Sequence, residues 1–198
     1  MGAEMTLTIE EDRLEVVEKL LRDAMGDWHA YYAMEALRSG VANHLVALLD
    51  DKPAGAVIYY NLPTVEGGQA TVVYYVVVAD WARNEYVGRA LVLSVEEVTD
   101  SQAYMATIAG GNEPSIRMFK SIGYDVVTYP EVEAAYGHRV LRKITRAACG
   151  YEDAYIAYKP PGKGLEVLSK LDWPSVELVF QRICYEPWRK LKERVLHV

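Results

Sequence analysis

The sequence predicts a mixed α/β fold, one central sheet flanked by helices, and three observations predict it. Helical three- and four-residue spacing of apolar side chains alternates with short strand-like runs along most of the chain. The longest apolar run, residues 72–79, does not alternate with polar residues, which is the pattern of a strand covered on both faces. The order of elements reads β-α-α-β-β-β-α-β-α-β, then a helix and a final strand, so an antiparallel front meets a βαβ back. With 198 residues, 51% hydrophobic and 25% charged, the composition is that of an ordinary globular chain.

Met5 to Ile9 reads as a short strand. Leu14, Val17, Leu20, Leu21 and Met25 then mark one face of a helix ending near Gly26, and an aromatic-rich helix follows over Trp28–Arg38. His44–Leu49 and Gly55–Tyr60 form a hairpin about Asp50-Asp51-Lys52-Pro53. The Asn61–Gln69 loop leads into the long strand, Ala70–Ala79. Val87, Ala90, Leu91, Ser94, Val95 and Val98 mark the next helix, and Ala103–Ala109 the next strand. Glu113–Ile122 is a short helix stopped by Gly123, and Tyr124–Tyr129 a strand. Pro130–Ala148 is helical in period, and Ala154–Tyr158 is the last strand.

The expected organisation is one domain over 1–160 with a helical insertion at about 130–150, then a helical extension over 161–198. Val176, Val179, Phe180 and Ile183 give the extension an apolar stripe. That stripe must pack either on the chain's own core or in a homodimer; the first is the reading preferred.

Net charge is −7, divided as −10 over residues 1–100 and +3 over 101–198. An acidic front half excludes nucleic acid as the expected partner; Glu10, Glu11, Asp12, Glu15 and Glu18 read first as the solvated start of a helix, with a cationic partner as the second reading. No apolar run reaches the roughly 20 residues of a membrane span, and Met1–Thr8 carries no signal-peptide pattern. Two cysteines, Cys149 and Cys184, are too few for a disulfide scaffold and form no C-x-x-C pair. A cytoplasmic protein is the expectation. The four histidines show no metal-ligand spacing, so no metal is expected.

The chemistry concentrates where the long strand feeds the helix after it. A strand, a tight loop and a helix start aim free backbone N–H groups and the positive dipole end at one point, which suits a phosphate or pyrophosphate. Gly88 permits close approach, and Arg83 and Arg89 add charge. Arg83-Asn84-Glu85-Tyr86-Val87-Gly88 resembles the [RQ]-x-x-G-x-[GA] acyl-CoA motif of the GNAT superfamily of N-acetyltransferases, with Tyr86 at the first glycine. A second segment, Asn112-Glu113-Pro114-Ser115-Ile116-Arg117-Met118-Phe119 through Gly123-Tyr124, is similar to that family's N-x-x-[AS]-x-x-[LM]-Y-x-x-[LI]-G-[FY] block. The resemblance covers about residues 5–128 and the strand 154–158.

The resemblance implies a splayed pair of parallel strands, with acetyl-CoA as cosubstrate and an amine as acceptor. Val76, Val77 and Val78 would pair with the pantetheine arm. The N–H groups of Asn84, Glu85, Tyr86, Val87, Gly88 and Arg89 would cradle the pyrophosphate, with Arg83 adding charge. Asn112, Ser115 and Phe119 would complete the cofactor site. Tyr86 is expected to take helical φ/ψ with its ring turned away. Phe119 stands where the family usually has an acidic tyrosine hydroxyl, which leaves acetyl transfer and non-catalytic acyl-CoA binding both open. A third alternative is a nucleotide-binding module using the same loop. The catalytic base is not evident; on a strand face expected to carry Val72, Tyr74 and Val76, Tyr74 is one candidate, the loop carboxylate Glu66 another, with Glu35 and His29 behind them. Arg139, Arg142, Lys143 and Arg146 form one basic helical stripe, read either as a solvated face or as a surface for an anionic partner or the CoA 3′-phosphate.

Overall fold

The structure, a computed structural model, describes residues 5–11 and 13–196, so the first four residues and Asp12 read above lie outside it. Seven strands form one sheet in the order β1-β2-β3-β4-β5-β7-β6. They are β1 (Leu7–Glu10), β2 (Asn43–Leu49), β3 (Lys52–Pro63), β4 (Gln69–Val78), β5 (Ala103–Ala109), β6 (Asp125–Thr128) and β7 (Asp153–Lys159). Only β4 and β5 pair in parallel; every other neighbour is antiparallel. The mixed sheet expected from the sequence is thus present, with boundaries shifted by a few residues.

Each face of the sheet carries its own core, as a strand with no polar alternation requires. On one face pack α1 (Leu14–Arg38), α5 (His138–Ala148) and the C-terminal extension, with Leu21, Met34, Tyr60, Ile144, Leu168 and Ile183 buried together. On the other pack α2 (Val87–Val98) and α3 (Glu113–Ser121), through Leu91, Val95, Ile116 and Phe119. Helix α1 breaks at Gly26, whose φ of 84° divides it into the two segments the sequence marks.

Two differences from the sequence reading have local causes. Residues 130–148 form not one helix but two, α4 (Tyr129–Tyr136) and α5, because Gly137 at φ 82° interrupts the ladder. The extension folds as α6 (Gly164–Ser169), α7 (Trp173–Phe180), a π-helical turn over Gln181–Tyr185, and α8 (Glu186–Leu196). Of the apolar stripe, Val176 and Ile183 are buried in the chain's own core with Leu165, Leu168 and Leu171, and Val179 and Phe180 pack against it partly buried.

The basic stripe on α5 does much of that docking. Lys143 Nζ donates to the carbonyls of Ser169 and Leu171 at 2.8 and 2.9 Å. Arg146 donates to the Glu177 carboxylate on α7 and lies over the Phe180 ring at 4.3 Å. These two cations are therefore neither a solvated face nor an anion site; they bind the extension to the domain. Helix α8 is tied to α1 by Lys190 and Glu35 at 3.0 Å, and this pair occupies one of the carboxylates considered as a base. Cys149 and Cys184, which no motif pairs, form a disulfide between the end of α5 and the π-helical turn. Among the described residues no helix is long and apolar enough to cross a membrane.

Candidate active site

Strands β4 and β5 are register partners only from Ala70–Ala103 to Val72–Met105. Beyond that point β4 stays on β3 while β5 stays on β7, so the two parallel strands separate. The gap is a cavity of about 690 Å³, walled by Val73–Val76 of β4 and Ala106–Ala109 of β5. The parting coincides with a bulge in β4: Val73 pairs with Tyr59 and Tyr75 with Ile58, leaving Tyr74 as the extra residue. The bulge reverses the strand's alternation. Val72, Tyr74, Tyr75 and Val77 belong to the α1 face, and Val73, Val76 and Val78 to the α2 face. The single face expected for Val72, Tyr74 and Val76 is therefore broken, and Val76 is turned to the opposite side.

Beside the cavity the chain turns from β4 into α2, with Gly88 packed near Val76 and Val78. The segment after β4 makes a 3₁₀ turn (Asp80–Ala82) and then bends through two left-handed residues, Asn84 at φ 70° and Tyr86 at φ 59°. The first α-helical bond of α2 is donated by Ala90 to the Tyr86 carbonyl, at 3.0 Å. Helix geometry leaves the N–H groups of Val87, Gly88 and Arg89 with no acceptor inside the helix. Gly88 lies against the strand: a Cβ there would stand 2.9 Å from Met118 Sδ and 3.5 Å from Val78. Tyr86 is not helical as expected; it keeps the left-handed backbone that glycine would supply, and its exposed ring sits under Arg89 at 4.8 Å. Arg83 forms an exposed ion pair with Asp80 at 2.7 Å, and Glu85 is exposed. Val77 and Val78 complete β4 against Ala56 and Gly55, with their other edge directed away from β3.

Helix α3 closes the adjoining wall. Asn112 caps it, Oδ1 accepting from the Ser115 N–H at 3.3 Å, so the Asn112 amide donors are the part left for a ligand. Asn112, Ser115 and Phe119 all line the cavity. Phe119 is 3% exposed and packs edge-on against Tyr124 at 5.1 Å, so position 119 offers a ring and no hydroxyl.

The other half of the cavity holds the groups able to move a proton. The Tyr74 hydroxyl bonds to that of Tyr75, and burial drives both phenols well above their ordinary range, so both hold their protons. Asp153, opposite Ala109 at the start of β7, has its carboxyl raised, chiefly by burial and partly offset by a hydrogen bond from Thr107. Thr107 has room only because residue 150 is glycine, where a Cβ would lie 2.6 Å from Thr107 Oγ1. His29 lies edge-on to Tyr75 at 6.0 Å and near Asp153. Glu66 is not brought here: it is exposed in the β3–β4 loop and ion-paired with Lys170 at 3.1 Å. Asp153 has no local sequence signal, since its place depends on the pairing of β7 with β5.

The sequence matches the acetyltransferase (GNAT) family over residues 8–124, more than half of the chain. No curated protein sequence gives a match. Among solved structures, NAA60 of Arabidopsis thaliana in complex with acetyl-CoA is similar with a TM-score of 0.55 at 13% identity, over 77% of this chain and 97% of that one. Arabidopsis thaliana Naa50 in complex with the bisubstrate analogue CoA-Ac-MVNAL is similar with a TM-score of 0.53 at 14% identity, over 78% and 98%. At these identities the likeness is one of fold, and the family match carries the assignment. With the splayed β4–β5 pair and the amide cradle opening α2, the chain belongs to the GNAT family of acetyltransferases.

Proposed function

We propose that the protein transfers the acetyl group of acetyl-CoA to a primary amine by direct attack. The observation that carries this reading is the parting of β4 and β5 around a cavity lined by the half-buried Asp153, with the start of α2 packed at Gly88 on the β4 wall. Acetyl-CoA supplies a thioester; a C–N bond forms, the C–S bond breaks, and the electron pair goes to sulfur.

The chain's own residues fit that donor. The N–H groups of Val87, Gly88 and Arg89 receive the pyrophosphate, and Gly88 lets it approach. The edge of β4 over Val76–Val78 offers backbone hydrogen bonds to an extended arm, as an added strand would use. The Asn112 amide and Ser115 flank that arm. Asp153 accepts the proton that the attacking ammonium must lose, since only the neutral amine is nucleophilic. Phe119 has no proton for the departing sulfur. Tyr75, held by Tyr74 and kept protonated by burial, supplies it instead.

Residues 1–160 form the acyl-CoA-handling part in this reading, and the extension 161–198 completes the acceptor side. The test is calorimetric binding of acetyl-CoA followed by thiol release across a panel of primary amines. Thiol release on any amine supports transfer. Tight acetyl-CoA binding with no release on every amine would establish the second reading, a non-catalytic acyl-CoA binder, which the absence of a hydroxyl at Phe119 favours.

A further inference from the structure

The half of the cavity beyond Tyr75 has a composition that selects its occupant. Its walls come from three separated parts of the chain. Trp28 and Tyr32 project from α1, Tyr151 from the α5–β7 turn, and Phe180, Tyr185 and Trp188 from the extension. Four of these rings are open to solvent at the mouth: Trp28 at 55%, Tyr151 at 55%, Tyr185 at 40% and Trp188 at 44%. Exposed aromatic side chains gathered about one opening are costly in water unless a ligand covers them. They are held in pairs, Trp28 tilted to Tyr32 at 5.5 Å, Tyr151 edge-on to Phe180 at 5.8 Å and Tyr185 tilted to Trp188 at 5.9 Å.

The titratable groups lining the same space are two carboxylates with His29 beside one of them. Glu152 and Asp153 face the cavity, and no lysine or arginine is among its described lining residues. Glu152 lies close enough to Tyr32 to help raise that phenol, after burial and Tyr31. A cation among aromatic faces with a carboxylate behind them gains both cation–π and Coulomb attraction. Glu152 and Asp153 follow Tyr151 directly in the chain, and Glu152 lies near Tyr32, so an ammonium group held by these carboxylates has aromatic faces beside it. The other lining rings offer apolar area, and no further carboxylate is among the described lining residues. A polyamine or a polar peptide N-terminus would place its remaining polar groups against those rings, where they find few partners.

We propose that the acceptor is a primary amine with one positive charge and an apolar, ring-bearing body, seated with its ring among Trp28, Tyr151, Tyr185 and Trp188 and its ammonium at Asp153 and Glu152. The inference rests on the acetyltransferase reading above and deepens it. Phe180, Tyr185 and Trp188 lie beyond the residues matched to the family, so the extension sets this chain's acceptor preference.

Calorimetry on the full chain with CoA present tests it, using 2-phenylethylamine, 1,4-diaminobutane and alaninamide as probes. The expected result is 2-phenylethylamine at least tenfold tighter than either of the others, with Trp188→Ala and Trp28→Ala each weakening it fivefold or more. Circular dichroism and acetyl-CoA affinity report whether each variant is folded. Equal or tighter binding of 1,4-diaminobutane or alaninamide overturns the proposal, as does an unchanged 2-phenylethylamine affinity in both folded variants. Thiol release is read in parallel. Selective binding of the ring-bearing amine without release overturns acetyl transfer and leaves the chamber assignment standing; release on all amines without selectivity does the reverse.

Discussion

Tyr74 and Tyr75, consecutive in sequence, lie on the same face of β4 with ring centroids 4.5 Å apart. A regular strand would send them to opposite sides. The bulge opposite Ile58 and Tyr59 puts both at the cavity, with the Tyr74 hydroxyl bonded to Tyr75. Tyr75 also feels the charge of Asp153, which further disfavours its ionisation. Burial makes each phenol a weaker acid than free tyrosine but keeps its proton in place next to the gap between β4 and β5, where the proposed reaction uses Tyr75 as the donor. Tyr75→Phe is expected to lower kcat by roughly tenfold or more, the lower end of what a general acid contributes, while the KM for acetyl-CoA stays within about twofold. Steady-state kinetics check the split.

Asp153 gives a pH dependence with a definite sign. Its folded carboxyl is raised by burial, only partly offset by Thr107. As a base it must be ionised, so kcat/KM is expected to rise with pH above the ordinary carboxylate range of about 4 and then level. Asp153→Asn should remove that limb and lower kcat/KM by roughly 10²–10⁴-fold. Stability runs the other way. Between the unfolded and the raised folded value the native state binds more protons than the unfolded chain, so this group's contribution falls as pH rises across that window. Asp153→Asn should therefore raise Tm at pH 7 relative to the parent and change it little at pH 3, as a pair of thermal melts will read.

The parts of this site legible in the sequence are those made by contiguous residues. Asn112 through Tyr124 carry a helix, its cap and its stop within thirteen positions, and each is found where the spacing puts it. The strand-to-helix junction at Val78–Arg89 is likewise local. What was not legible depends on distant pairing. The bulge at Tyr74 follows from β4's register against β3, and no residue type announces it. Asp153 reaches the cavity because β7 lies beside β5, which 43 intervening residues conceal. The acidic front half suggested a cationic acceptor, yet Glu18 is spent on Arg22 and Arg38. The carboxylates that face the cavity, Glu152 and Asp153, come from the half with net positive charge.

Tyr86 tests how the anion cradle tolerates a side chain at a glycine position. Its φ of 59° is left-handed, which costs a residue with a Cβ roughly 1–2 kcal/mol. Glycine would relieve that cost and lose about 0.4–1 kcal/mol through a freer unfolded chain. Tyr86→Gly is thus expected to leave stability unchanged or raise it by up to about 1 kcal/mol, and to preserve acetyl-CoA affinity, because the backbone N–H groups do the binding. Tyr86→Val, with branching at Cβ, cannot hold the left-handed turn cheaply and should weaken acetyl-CoA binding. Denaturant melts and calorimetry on both variants decide it.

The Cys149–Cys184 disulfide fixes the wall of the acceptor chamber to α5. Both cysteines line the cavity, and Cys184 stands four residues after Phe180 and four before Trp188. With a sequence separation of 35, the loop-closure entropy removed from the unfolded chain corresponds to about 4 kcal/mol. Cys184→Ser should lose a stability of that order, and adding reductant to the parent should reproduce the loss while leaving the variant unchanged. The KM for the amine should rise in both cases, whereas acetyl-CoA affinity should not move.

Phe119 offers the sharpest test of where the last proton comes from. Its ring lines the cavity on the α3 side, packed against Tyr124, and itself has no proton to donate to a departing sulfur. If Tyr75 has taken over that task from the opposite wall, restoring a hydroxyl at 119 adds little to an enzyme that already has a donor. Phe119→Tyr alone is then expected to change kcat by less than about threefold, well below the contribution of a general acid. In the Tyr75→Phe background the same substitution should recover most of the lost kcat. Coupling of this kind is what a double-mutant cycle measures. Additive effects, with no recovery in the double variant, would mean that the two positions do not share the proton.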